Sequence, residues 1–120
     1  MAAGMEQVVS RAFELEFDEP ALRWLQSRLS HLPLVISYRV TRCCSGPPVR
    51  EVRLRQLSHP SQGREGLIQI GTVLDRAVLL DARIAGSMPP RIPVSAGGIG
   101  RFRGLRLNLS ADEWARLLYP

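Results

Sequence analysis

The sequence predicts an α+β domain that is mainly β. Residues 34–41 and 49–57 alternate apolar and polar side chains, the two-residue period of half-buried strands, and a Gly-Pro-Pro break between them makes a hairpin. Helical spacing of apolar residues is clear in two short stretches, one towards each end of the chain, and each follows a capping residue. A chain of 120 residues with 45% hydrophobic and 22% charged content suits one domain around one core.

Phe13-Glu14-Leu15-Glu16-Phe17 alternates apolar and charged and predicts the first strand. Asp18 then offers an N-cap and Pro20 fits a first helical turn. Ala21, Leu22, Leu25 and Leu29 form the apolar stripe of an N-terminal amphipathic helix, with Arg23 and Arg28 outside it. His31-Leu32-Pro33 ends it, because proline disfavours helix in the residue before it.

In the hairpin, Leu34, Ile36, Tyr38 and Val40 share one face and Ser37, Arg39 and Thr41 the other; Val52 and Leu54 oppose Arg53 and Arg55. Residues 58–66 form a polar loop. Leu67–Gly71 and Val73–Asp81 continue the sheet, and Ala77–Leu80 predicts a buried strand. Ala82–Met88 is a short helical turn ended by Pro89-Pro90. Arg91–Val94 is expected at a sheet edge, since Pro93 cannot donate to a central ladder. Gly97-Gly98-Ile99-Gly100 lacks the spacing of a phosphate loop and leads into a strand, Gly104–Leu109, where that loop would need a helix, so a turn is expected. Ser110-Ala111-Asp112-Glu113 is a capping box opening a short C-terminal helix with Trp114, Leu117 and Leu118 on its apolar face. Trp24 and Trp114 are expected in the core or at an interface, and Asp18 and Asp112 as helix-start acids.

The chemistry-bearing feature is Cys43-Cys44, the only cysteines, in the run Arg42-Cys43-Cys44-Ser45-Gly46-Pro47-Pro48 at the hairpin end. A disulfide between neighbours closes a strained ring, so it is not expected as a structural staple. Residues 1–12 are expected to be a flexible tail; they have neither the basic region nor the apolar core of a secretory signal. With free thiols, this points to a reducing, cytoplasmic setting.

The order of elements resembles the A-type iron–sulfur carriers, the HesB-like family, over residues 13–108. Cys44-Ser45-Gly46 stands where that family has its Gly-Cys-Ser-Gly loop, with Cys43 in place of a glycine. Val78-Leu79-Leu80-Asp81 is similar to its Val-Val-Asp strand, and Gly104-Leu105-Arg106-Leu107-Asn108 to its Gly-Phe-x-Phe-x-Asn strand. The resemblance implies a single HesB-like sheet domain over residues 13–120. The family ends in a Cys-x-Cys pair that completes its metal site, and this chain has no cysteine after Cys44. The chain looks closer to a branch of small bacterial proteins with a paired-cysteine or cysteine–selenocysteine motif.

Three functions follow. In the first, Cys43 and Cys44 hold an iron–sulfur cluster or zinc, with Arg42, Ser45 and Gly46 as the supporting loop. A cluster usually takes four thiolates, which a homodimer supplies from two copies, whereas zinc would accept His31, His59 or Asp81 as well. In the second, the pair is a redox or sulfur-transfer dithiol, with Arg42 favouring the thiolate and one thiol resolving the other. In the third, the cysteines are inert and the protein is a structural or interaction module. No catalytic constellation is visible: there is no Gly-x-Ser-x-Gly elbow and Ser45 has no evident histidine base.

The net charge is +5, and every one of the sixteen basic residues is arginine. Arg39, Arg42, Arg50, Arg53 and Arg55 form a local cluster, expected as the solvated hairpin face; an acidic protein partner is its functional alternative. Aromatics are 6% and do not interleave with the cluster, which argues against a nucleic-acid platform. No apolar run approaches a membrane span.

Overall fold

Two small sheets meet through their apolar faces, and both helices lie against the layer they form. The computed structural model describes residues 13–28, 31–42, 46–57, 65–98 and 104–119; the expected tail at residues 1–12 lies outside them. In chain order the elements are β1 (Glu14–Phe17), α1 (Glu19–Gln26), β2 (Leu34–Thr41), β3 (Val49–Gln56), β4 (Leu67–Val73), β5 (Arg76–Asp81), a 3-10 turn (Ala82–Ile84), β6 (Arg91–Gly97), β7 (Gly104–Leu107) and α2 (Ala111–Leu118). The mainly β, α+β class expected from the sequence is what the chain adopts.

The larger sheet has the order β3-β2-β5-β4 and the smaller β1-β6-β7. Leu34, Ile36, Val52, Ile70, Val78 and Leu80 of the first sheet share one buried cluster with Ile92, Val94 and Leu107 of the second. Ala21 and Leu25 of α1 and Leu117 of α2 complete it. Val35 and Leu79 point to the other side of the larger sheet and, with Leu57, form a second small buried cluster. The start of β2 is therefore buried on both faces, and its polar alternation begins only at Ser37.

α1 starts as expected: the Asp18 carboxylate accepts from the Ala21 N–H at 2.9 Å, and a proline occupies the first turn. It is shorter than its apolar stripe, closing at Ser27, whose N–H returns to the Arg23 carbonyl at 3.0 Å. α2 opens on a complete capping box, Ser110 N–H on Glu113 Oε1 at 2.9 Å and Glu113 N–H on Ser110 Oγ at 3.2 Å.

The edge position expected for Arg91–Val94 is wrong: β6 is the central strand of its sheet. The pairing explains how Pro93 is tolerated. β1 donates to carbonyls of alternate residues, Glu14 N–H to Pro90 and Asp18 N–H to Val94, so the Pro93 nitrogen faces β7 instead. The β6–β7 ladder starts only at Val94 opposite Leu107, and just beyond it the Pro93 carbonyl accepts from the Asn108 N–H at 2.8 Å. One reciprocal bond at the end of the ladder is all that the ring forgoes. β6 also continues to Gly97, through part of the expected glycine turn.

Residues 67–81 form a hairpin whose turn is Leu74-Asp75, both at positive φ, 47° and 63°. A bulge between Gln69 and Gly71 re-aims β4. It sets Gly71 against β1, where a Cβ would stand 3.0 Å from Leu15 Cδ1; the glycine is what lets the two sheets approach there.

Candidate functional site

The β2–β3 hairpin is paired rung by rung from Leu34 opposite Gln56 to Thr41 opposite Val49. That register puts Arg42 and Gly46-Pro47-Pro48, the sequence neighbours of the cysteine pair, at the free end of the hairpin. Cys43, Cys44 and Ser45 lie outside the described residues. Their flanks, Arg42 and Gly46, are exposed. So are two apolar residues of the last rungs, Val40 at 41% and Val49 at 61% exposure.

Of the three side chains named as additional ligands, His31 and Asp81 do not converge on this tip. His31 precedes β2 and is exposed, so the length of β2 separates it from Thr41, about 24 Å at 3.4 Å per residue. His59 lies outside the described residues. Asp81 is buried, 8% exposed, and its carboxylate is already used. Oδ1 accepts from the Arg83 N–H at 2.9 Å, capping the 3-10 turn, and from Arg83 Nε at 3.1 Å, while Oδ2 takes Arg83 Nη2 at 2.8 Å. The hydrogen bond from the Arg83 side chain, more than any other contact, holds the Asp81 carboxyl below the usual carboxylate range, against the effect of burial. Among the described residues no group of three or more His, Cys, Asp or Glu is placed to hold a metal ion.

The arginine cluster divides. Arg39, Arg53 and Arg55 are exposed on one face of the hairpin with Ser37 and Glu51, lining a concavity of about 410 Å³. Arg53 Nε meets Glu51 Oε1 at 2.6 Å. Arg50 departs from the expected cluster because register turns it to the opposite face. There its Nη1 donates to the Leu118 carbonyl at 2.9 Å, a cation on the C-terminal end of α2.

Sequence reasoning passed over Arg76. It is buried, 2% exposed, at the start of β5. Its Nη2 donates to the carbonyls of Leu25 at 3.2 Å and Arg28 at 3.1 Å, closing the end of α1, and its Nη1 has no partner. Burial, and then the nearby Arg28 charge, lowers its pKa from the ordinary arginine value. An arginine at the head of the apolar run Ala77–Leu80 was the only signal of it. Trp24 and Trp114 pack against the core as expected, with Arg28 stacked over the Trp24 ring at 4.3 Å.

No helix among the described residues is long and apolar enough to cross a membrane. No known protein-family model matches the chain, and no curated protein matches it.

Proposed function

We propose that the chain is a HesB-like, cytoplasmic domain that binds a metal ion or an iron–sulfur species through Cys43 and Cys44, with the ligand set completed by the same pair of a second copy. One observation carries this reading: His31 and Asp81, two of the three additional ligands named from the sequence, are withheld from the hairpin tip. Asp81 is engaged by Arg83, and His31 stands beyond the other end of β2. Two thiols per chain fall short of the four-ligand shell of zinc or a cluster, and a symmetric pair of tips meets it. Val40 and Val49, exposed on opposite faces of the last rungs, offer apolar contacts for such a pairing on either side of the hairpin.

Dithiol chemistry is the second reading. It is favoured by Arg42 beside Cys43 and by Arg39 on the tip half of the hairpin, a positive environment that lowers a thiol pKa.

Anaerobic purification, followed by absorbance spectroscopy, metal analysis, thiol titration and light scattering, tests both. Metal binding predicts iron or zinc at one site per dimer, lost in both Cys43→Ser and Cys44→Ser. A metal-free protein with one rapidly alkylated thiol overturns it in favour of the dithiol. Two unreactive thiols without metal overturn both readings.

A further inference from the structure

We propose that the solvent face of the β2–β3 hairpin docks an extended acidic segment of a partner protein. The proposal stands on described residues alone and is independent of the chemistry assigned to the cysteines. Antiparallel register brings the residues together: Ser37 lies opposite Arg53, Arg39 opposite Glu51 and Val35 opposite Arg55. Arg53 and Arg55 share a strand face about 7 Å apart, and Arg39 is the diagonal neighbour of Arg53 at about the same distance. The three strand positions are thus spaced by about 7, 7 and 14 Å, one, one and two repeats of alternate residues on an extended chain. A strand with an acid at every second position would present one carboxylate to each.

The charges of this face do not cancel. Glu51 is its one acid and is engaged by Arg53, while neither Arg39 nor Arg55 has an acidic partner among the described residues. Elsewhere the exposed arginines Arg23 and Arg91 are paired, with Glu19 and with Glu14 and Glu16. The Arg53 guanidinium is held by Glu51, and the Ser37 hydroxyl donates to the Arg53 backbone carbonyl at 3.3 Å, fixing the strand beneath it. The groove is therefore concave, net positive and partly pre-ordered. Guanidinium forks suit carboxylates in a two-point contact.

A protein segment fits better than a nucleic acid. Glu51 sits inside the groove, where it would repel a phosphate backbone carrying a charge at every step, and the one aromatic lining it, Tyr38, is half-buried with its ring already covered by Arg83.

The test is fluorescence polarisation of a labelled dodecapeptide of alternating Glu and Thr, titrated with the full chain at low and high salt. A Lys-for-Glu peptide and a single-stranded oligodeoxynucleotide of equal length are run alongside. The acidic peptide is expected to bind and to weaken with salt. Binding is expected to fall by about tenfold or more in Arg39→Ser/Arg53→Ser/Arg55→Ser, and to hold in the charge-matched Arg23→Ser/Arg106→Ser/Arg116→Ser. All substituted residues are exposed, and a thermal melt checks that both variants fold. Equal loss in the two triple variants overturns the proposal, as does absence of peptide binding. Tighter binding of the oligonucleotide overturns it in favour of nucleic acid. Cys43→Ser/Cys44→Ser is expected to bind the peptide as the parent does; loss there would overturn the independence of the groove from the thiols.

Discussion

Arg83 grips Asp81 through two nitrogens, Nε on Oδ1 at 3.1 Å and Nη2 on Oδ2 at 2.8 Å, and the pair takes over where a strand ladder stops. The parallel pairing of β2 with β5 ends at Ile36 opposite Leu80. Two residues beyond Ile36, the Tyr38 carbonyl accepts from Arg83 Nη2 at 2.8 Å. The Arg83 guanidinium also lies over the Tyr38 ring, 5.0 Å from its centre. The Arg83 side chain thus ties β2 to the end of β5 just past the last rung of their ladder.

The pH dependence of stability follows from this pair. Its hydrogen bonds lower the Asp81 pKa in the folded chain, so the stability it contributes is complete above the unfolded value, about 3.9. That contribution is lost as pH falls through the lower folded value. Urea unfolding at a series of pH values is expected to show a gap between parent and Asp81→Asn of about 1–3 kcal/mol at neutral pH. The gap should shrink steadily below about pH 4. A gap that stays constant to the acid limit would assign the loss to packing.

Arg76 secures α1 to the larger sheet from within the core. Arg76→Met keeps most of the volume but strips the Leu25 and Arg28 carbonyls of their donor. It is expected to lower stability by about 2 kcal/mol, read from the urea midpoint at unchanged m-value. A more stable Met variant would mean that desolvating the guanidinium outweighs its two bonds.

The β4–β5 turn stores strain that substitution can release. Leucine at positive φ is costly, and the two positive φ values of Leu74 and Asp75 are those of a type I′ turn, which favours Asn-Gly. Leu74→Asn/Asp75→Gly is expected to raise stability by about 1 kcal/mol in thermal or urea unfolding. A loss of stability would show that the native side chains contribute contacts larger than the strain.

The hairpin tip should govern self-association if two copies share a site there. Val40→Asp and Val49→Asp place charges on exposed rungs, so each is expected to change monomer stability by no more than about 0.5 kcal/mol. Light scattering should find them shifted towards monomer, with bound metal reduced in proportion. Dimers that persist in both variants would remove the tip from the interface.

What could be read from the chain was what local rules govern. The β2–β3 hairpin announced itself through alternation, and the Asp18 and Ser110 caps through spacing, because each depends on residues that are neighbours in sequence. The failures came where tertiary context decides. Pro93 is central because its nitrogen meets the end of a ladder, a fact of register that no local pattern encodes. The turn at Leu74-Asp75 was hidden because its residues are not those the geometry prefers. The cysteine pair stood out as a candidate by composition and position, and it lies outside the described residues. The diversion of Asp81 to Arg83, of Arg50 to α2 and of Arg76 to α1 became visible only when distant segments were brought together.

The parallel pairing of β1 with β6 has a consequence for how the molecule is made. Glu14 lies opposite Arg91 and Phe17 opposite Val94, so the first strand has no partner until nearly the whole domain has been synthesised. The two antiparallel hairpins, β2–β3 and β4–β5, can zip as they emerge from the ribosome, since their strands are close in sequence. β1 must wait, with Leu15 and Phe17 unburied, for the C-terminal third of the chain. The residues that begin the domain are in this sense the last to join it, and a nascent chain released before β6 would carry its β2–β3 hairpin on a core still open along one side.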